Sequence, residues 1–598
     1  MSDLRPDPRP FPKTLPEALH RAAIAFPDKG LAIFDGRGRS HERRSWAEVR
    51  GMACTGAERL AALGVERGDR VVVCLPSSWE WMESWLGALL LGAWPVALAP
   101  AGALGSSEAH TRRVAEVVER LDARLLVTGA SVLDEAARLA ESTEPGSSGE
   151  GAPGEGSGRE ALRELAARGQ TPERLAEITL RTVKFARPEP EEVAFLQLTS
   201  GSTGVPRAVQ ITHAAAMHNN RVSDEAIGAP HGAPAHTWAD AMVAWLPLNH
   251  DMGLVGCLFM SLTHGLDLWL MNPTTFLARP GLWLEQIARR GVTFAPAPNF
   301  GYQLLAERLG GAMGRRGLPE GLDLSGFRAA LVGAEMVRPE TVEAFVGLTE
   351  PHGFDPRAIR PCYGLAEGTL AVTFDCRGEG LRTRPRPAGT VSAEDLGGRE
   401  VACVGAPVAD TEVRILAPDG RELPEGEIGE VRARGPGIFT GYYNDSKATA
   451  EALVDGWLAT GDLGFLHGGE LYLTGRLKDI LILRGHNLMP HELEWLAEGV
   501  TGGGGVERAG AFSVDGGPEG ERPVLVVETG VRAPDALREL AHDIRREVGR
   551  TLSLILADVT FVRRGKIPKT TSGKVQRREL KRRYLAGDLE RLDTVPET

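Results

Sequence analysis

Cysteine is scarce in this 598-residue chain: there are six, Cys54, Cys74, Cys257, Cys362, Cys376 and Cys403, with no CxxC pair and no histidines clustered at ligand spacing. That pattern excludes a disulfide scaffold or a zinc ribbon and reads as reduced, mostly buried thiols of a cytoplasmic protein. Cationic excess is missing as well. The formal net charge of -12 argues against wrapping nucleic acid or an anionic membrane surface, because phosphates would be repelled. The polar, proline-rich start, MSDLRPDPRPFPKTLPEALH, is not a signal peptide. One uncharged stretch, Ser84 to Ser107, is long enough to cross a bilayer. Pro95 and Pro100 interrupt it, however, so Trp85 to Leu91 predicts a buried helix and Trp94 to Leu98 a buried strand. No internal repeat is visible.

What is present fits a large globular protein. Apolar residues make up 42% and charged residues 25%, and the length calls for two or more domains. Short apolar runs such as Arg70–Leu75, Ala123–Thr128 and Ala329–Val332 alternate with amphipathic segments such as Ser45–Leu63 and Thr111–Leu121. This alternation predicts an α/β fold with mainly parallel sheets. A Gly/Ser/Pro/Glu tract at Glu141 to Glu160 cannot offset its ordering entropy and is expected to be a disordered insertion. Near Gly475 the chain becomes more charged, which places a boundary between a large domain over 1–474 and a small α+β domain over 475–598.

The strongest local signal is Phe195-Leu196-Gln197-Leu198 followed by Thr199-Ser200-Gly201-Ser202-Thr203-Gly204-Val205-Pro206-Arg207. An apolar strand ends in glycines and hydroxyls, then a cation. Glycines let backbone N–H groups converge, hydroxyls add rotating donors, and such a loop can cradle phosphate oxygens. It is not the GxxxxGK[ST] loop, since no Lys-Ser/Thr pair follows. A plain polar turn into a return strand at Ala208–Thr212 is the bland alternative.

These residues resemble the signature loop of the acyl-adenylate-forming superfamily. Four further motifs follow in the family's order: Tyr363-Gly364-Leu365-Ala366-Glu367, Thr460-Gly461-Asp462-Leu463-Gly464, Gly475-Arg476-Leu477-Lys478-Asp479, and Pro568-Lys569-Thr570-Thr571-Ser572-Gly573-Lys574. The resemblance covers nearly the whole chain outside 141–160. It implies ATP and Mg2+ as cofactors and adenylation of a carboxylic acid, with the acyl group passed to a thiol. Glu367 would hold Mg2+, with Thr199 or Thr203 nearby. The loop Thr199, Ser200, Gly201, Ser202, Thr203 and Gly204, with Arg207, would bind phosphates. Arg207 departs from the family's usual lysine but retains the charge. Tyr363 and Gly364, with Gly333-Ala334-Glu335, would line the adenine pocket; Asp462 would accept from the ribose hydroxyls and Arg476 would contact ribose and phosphate. Lys574 would bridge the carboxylate and the α-phosphate as charge develops. Lys478 matches the family's hinge, about which the small domain swings between half-reactions.

Three segments are similar to fatty acyl-AMP ligases within that superfamily: Leu246–Leu254 with its His250-Asp251-Met252-Gly253-Leu254 element, Leu331–Val337, and Arg484–Pro490, where Met489 replaces a frequent aromatic. The resemblance implies a fatty or other hydrophobic acid and, as acceptor, the phosphopantetheine thiol of an acyl carrier protein; CoA is the alternative. An insertion after the Tyr363 motif that hinders the CoA reaction could correspond to Arg377–Arg399. His250 would orient the carboxylate or adenylate at the acyl pocket, and Val255–Leu262 would line the tunnel or simply be core. The basic run Arg563, Arg564, Lys566, Lys569, Lys574, Arg577, Arg578, Lys581, Arg582 and Arg583 could meet ATP, CoA or an acidic carrier, or be a solvated helix. No carrier domain is evident, so any carrier would be a separate protein. The rival class is an inactive relative that binds adenylates, disfavoured because the polar residues are all in place.

Overall fold

The computed structural model describes residues 10–100, 107–142, 155–199, 206–237, 241–310, 317–387, 400–483, 486–500, 505–515, 521–552, 554–569 and 574–592. Contacts divide the chain into two compact units. The first comprises 1–381, 404–412 and 433–458; the second comprises 382–403, 413–432 and 459–598.

The first unit is α/β. Its six-stranded sheet runs Gly169–Gln170, Leu125–Thr128, Arg70–Cys74, Trp94–Ala97, Val193–Leu198, Ala208–Thr212, with every pair parallel except the last. In the strand Arg70–Cys74 every residue after Arg70 is apolar and buried, as expected where helices cover both faces of a parallel sheet. A four-stranded sheet runs His41–Ser45, Gly30–Phe34, Asp267–Leu270, Ala241–Ala244. In a five-stranded sheet Phe294–Pro298, Ala329–Gly333 and Ile359–Gly364 are parallel, and Ala371–Phe374 and Ala406–Pro407 return antiparallel.

The uncharged stretch folds as predicted in kind, with an earlier start. The helix spans Trp79–Leu91, capped by Ser78, ends at Gly92 with φ 74°, and passes into the strand Trp94–Ala97. Among the described residues no helix is long and apolar enough to cross a membrane.

The tract at 141–160 needs a correction at both edges. The helix Ala130–Ser142 runs into it and a second helix, Glu155–Arg168, begins within it. Ala161, Leu162 and Leu165 are buried in the same core as Val132, Leu133 and Ala136, so the second helix has an apolar stripe to dock. Residues 143–154 lie outside the described residues.

The second unit contains an α+β layer. Arg508–Asp515 pairs antiparallel with Glu521–Glu528, which pairs parallel with Asp558–Val562. The helices Pro490–Gly499 and Pro534–Leu552 bury Leu493, Leu496, Leu537, Leu540 and Ile544 in one core with this sheet. The unit also holds the pairing of Glu470–Arg476 with Asp462–His467, and the short pair Thr383–Pro385 with Glu400–Ala402.

Candidate active site

The strand Val193–Leu198 pairs antiparallel with Ala208–Thr212, the expected return strand. The Thr199 N–H donates to the Arg207 carbonyl at 2.9 Å and closes the stem. Ser200, Gly201, Ser202, Thr203 and Gly204 lie outside the described residues.

Arg207 is half-buried. Its guanidinium sits 5.2 Å from the centre of the Tyr442 ring, with Nε 3.8 Å from Asp445 Oδ2. Arg120 reaches the same carboxylate at 3.1 Å. A planar cation can stack on the ring and face the carboxylate together, which a lysine ammonium does less well. Tyr442 Oη in turn donates to Glu367 Oε1 at 2.6 Å. Burial, then the Glu367 charge, raise the Tyr442 phenol well above its ordinary range, so it stays a proton donor. Arg207, Tyr442 and Glu367 thus form one chain of contacts. The sequence reading missed Tyr442; its signal was the aromatic pair Tyr442-Tyr443 just after Gly441.

Glu367 stands on a short 3-10 turn, Ala366–Gly368, and the next residue is strained. Thr369 has φ 65° and ψ −51°, and the Leu370 N–H donates to the Gly368 carbonyl at 2.8 Å, so 368–370 form a γ-turn of the rare, uphill kind. Three clamps hold it. Thr369 Oγ1 donates to the Gly437 carbonyl at 2.6 Å. Buried Asn219 donates to the carbonyls of Gly368 and Ala371 at 3.2 and 3.0 Å. Its Oδ1 accepts from Ala371 N–H at 3.1 Å. Asn219, inside the helix His213–Gly228, was also missed, and nothing local marks it.

The parallel strands deliver the other residues at their carboxyl ends, where ligands bind in open α/β sheets. Gly333 ends one strand, and Ala334 follows with φ 63°, a left-handed conformation that alanine adopts only under constraint. Glu335 Oε2 accepts from Phe300 N–H at 2.8 Å. A Cβ on Gly333 would lie 2.8 Å from Cys362 Sγ, and one on Gly364 only 1.6 Å from the Leu370 carbonyl oxygen. Both glycines therefore allow close approach, the second between the buried Tyr363 strand and the Glu367 turn. His250 stands next to Asn249, whose carbonyl accepts from Gln197 Nε2 at 2.8 Å on the strand that leads into the segment 199–206. His250 Nδ1 lies 2.6 Å from Asp251 Oδ1, and that oxygen also accepts Met252 N–H at 2.7 Å. The same Met252 N–H also reaches His250 Nδ1 at 3.3 Å, so ring and carboxylate share one backbone donor. Asp251 holds the ring's orientation, which suits a positioning group.

In the second unit, Asp462 and Arg476 face each other in register, with Arg476 Nε donating to Asp462 Oδ1 at 2.8 Å. Asp462 lies inside the strand Trp457–His467, where the pairing with Glu470–Arg476 begins. Lys478 is exposed in the turn Leu477–Asp479. Just before it, Gly475 has φ 152°, and a Cβ there would meet Met489 Sδ at 2.4 Å, so the departure at Met489 packs where only glycine fits. Lys574 flanks the segment 570–573, which lies outside the described residues, as do Arg484 and Gly485. The segment's stem is closed by a bridge between Lys569 and Val575 and by Gln576 N–H donating to the Pro568 carbonyl at 2.8 Å.

Two other readings can be placed. The basic run is in large part internally neutralised: Arg564 pairs with Glu507, Lys566 with Glu590, Lys569 with Glu528, and Arg582 and Arg583 with Glu579. The cysteines are all free; burial pushes the thiols of Cys74 and Cys362 up to about 12, so neither is an activated nucleophile. Among the described residues only Asp224, His236 and His264 have metal-ligand spacing. Both Asp224 oxygens already receive His236, through its N–H at 2.8 Å and its Nδ1 at 2.5 Å, which ties down the turn after the helix His213–Gly228.

Tyr442→Phe should raise the ATP KM about tenfold with little change in fold, because Glu367 loses a donor from a short hydrogen bond to a charged group. Steady-state pyrophosphate exchange across an ATP series would show it.

Comparison with known proteins identifies the chemistry. The AMP-binding enzyme model matches residues 19–443. The long-chain fatty acid–AMP ligase FadD26 of Mycobacterium tuberculosis is 32% identical over 98% of this chain and 99% of its own length. A Caulobacter vibrioides protein named as an acyl-CoA synthetase is 32% identical, covering 96% of both. A solved structure from a study of fatty acyl-adenylate ligases of E. coli and L. pneumophila superposes with a TM-score of 0.82 at 27% identity, covering 97% of this chain and 100% of that one. A fatty acyl-adenylate ligase of L. pneumophila, solved with acyl adenylate and pyrophosphate, gives 0.66 at 25% identity over 98% of each. The chain belongs to the AMP-binding enzyme family and is an AMP-forming ligase that makes an acyl-AMP from ATP, similar to the fatty acyl-AMP ligases.

Proposed function

We propose that the acid is a fatty or similar hydrophobic acid and that the acyl group passes to the phosphopantetheine thiol of an acyl carrier protein. In the first half-reaction a carboxylate oxygen attacks the α-phosphorus, the bond to the β-phosphate breaks, and pyrophosphate leaves. In the second, the thiol sulfur displaces AMP from the acyl carbon. Glu367 and the Thr199 hydroxyl offer hard oxygen donors, few in number, which suits Mg2+ because that ion keeps waters and phosphate oxygens in its shell. When bound, Mg2+ neutralises phosphate charge. Arg207 and the loop 199–204 hold the phosphates; Gly333, Ala334, Glu335, Tyr363 and Gly364 form the adenine side. Asp462 takes the ribose hydroxyls, with Arg476 beside it. His250 orients the carboxylate. Lys574 stabilises the developing charge, and the module 475–598 turns about Lys478 between half-reactions.

The observation that carries the acceptor assignment is the buried pair of Arg386 and Glu492. Their side chains are 9% and 5% exposed, and Arg386 belongs to the Arg377–Arg399 segment while Glu492 is on the helix Pro490–Gly499. Arg382 similarly reaches Glu470 at 2.6 Å. These ties support reading the segment as the one that disfavours CoA. The portion 388–399 lies outside the described residues. The test is a paired acceptor assay with ATP, Mg2+ and a ladder of fatty acids. Acyl-AMP with carrier loading and little acyl-CoA is the expected result; efficient acyl-CoA formation would reassign the chain to the acyl-CoA ligases.

A further inference from the structure

Both ends of the loop that carries Lys574 are pinned by ion pairs, and the two pins differ in what they reach. On the entering side, Glu528, 2% exposed, accepts Ile567 N–H at 2.8 Å and the Lys569 ammonium at 3.0 Å. This pin is local, between the loop and the strand Glu521–Glu528. On the leaving side stands Arg577, the first residue of the helix Arg577–Ala586. Its Nε and Nη2 grip the two oxygens of Glu494 at 2.7 Å each, a bidentate fork on the buried helix Pro490–Gly499. Its Nη1 donates to Asp479 Oδ2 at 3.1 Å. Asp479 directly follows Lys478. One guanidinium therefore ties the loop's exit, a core helix and the chain beside Lys478.

Only arginine can do this. The planar fork supplies two parallel donors to one carboxylate and a third to another, whereas an ammonium is a point charge without that fixed geometry. Glu494 is fully occupied without Asp479, since it also accepts Ala511 N–H at 2.9 Å. The bond to Asp479 is thus dispensable for neutralising Glu494, and its effect is to link two segments.

We propose that Arg577 is a positioning residue that couples the chain at Lys478–Asp479 to the Lys574 loop, so that Lys574 takes up its place according to the conformation at Lys478. This rests on the reading of Lys574 and Lys478 above.

Asp479→Asn tests it with least risk to the fold, because the Glu494 fork remains. In the full-length protein, pyrophosphate exchange should show kcat lowered about tenfold, the value of a charged hydrogen bond, with ATP and acid KM nearly unchanged. Arg577→Gln should lower kcat further, and Arg577→Lys should recover part of it. In the double variant Asp479→Asn/Arg577→Gln the aspartate change should add nothing, since the two act through one contact. Thermal melts of each variant accompany the kinetics. If the two effects multiply, or if kcat falls only in step with thermal stability while KM rises, Arg577 is a scaffold residue and the coupling is refuted. Lys574→Ala run alongside separates the readings. Loss of exchange there, with Asp479→Asn behaving as wild type, refutes the coupling alone. Retained exchange in Lys574→Ala removes the basis for both.

Discussion

Lys574→Ala is expected to lower pyrophosphate exchange by about 10²- to 10³-fold, the loss typical of removing one preorganised charge from a transition state. Adenylation gathers charge on the attacking carboxylate and the α-phosphate, and a compact ammonium on a flexible stem can face both. Transfer from supplied acyl-AMP needs no such charge, because the phosphate ester is already a good leaving group. The expected signature is therefore a split: exchange collapses and carrier loading from acyl-AMP persists. Equal loss of both half-reactions would show that Lys574 serves more than the first. The closed stem, through the Lys569–Val575 bridge and the Lys569–Glu528 pair, argues that the substitution leaves the surrounding fold in place.

Glu367→Gln is the second large effect. Glutamine preserves the shape and can still accept from Tyr442, but it removes the negative charge that a hard divalent cation requires. Exchange at fixed ATP should fall about a hundredfold, a loss in the range for one electrostatic contact in a closed site. Raising Mg2+ should recover part of the rate, because the defect is in holding the ion. A rate that stays low across the Mg2+ titration, with the ATP KM unchanged, would assign Glu367 a role apart from the metal. The contrast with Tyr442→Phe is informative: that change weakens the carboxylate's placement while retaining its charge.

Much of this was legible in the sequence for a simple reason. The hairpin at 193–212 is written in local terms: an apolar strand, a run of glycine and hydroxyl residues, and a second apolar strand. The apolar stretch after Ser84 likewise announced a helix and a strand, and only its start at Trp79 was misplaced, because Ser78 caps the helix earlier than the uncharged run begins. Where the chain's low complexity suggested disorder up to Glu160, three apolar residues at helical spacing, Ala161, Leu162 and Leu165, were enough to order the edge. What stayed hidden depends on distant partners. Asn219 lies 149 residues from Gly368, and Gln197 lies 52 from Asn249. The facing pair Asp462 and Arg476 follows from a hairpin register that neither motif shows alone. The basic C-terminal run misleads in the opposite sense, since its acidic partners Glu507 and Glu528 stand well upstream and Glu579 is interspersed within the run's own helix.

The turn at Thr369 bears on when the chain becomes competent, and on how it fails. A β-branched residue at φ 65° is uphill by roughly 1–3 kcal/mol, so the segment 365–371 will not hold that shape alone. It needs Asn219 from far upstream and the Gly437 carbonyl from far downstream. Glu367 is therefore aimed only once those remote pieces have docked. The same dependence runs backwards on heating. Loosening of the helix His213–Gly228 would release the turn first, and the carboxylate would lose its aim while most of the sheet core is still folded.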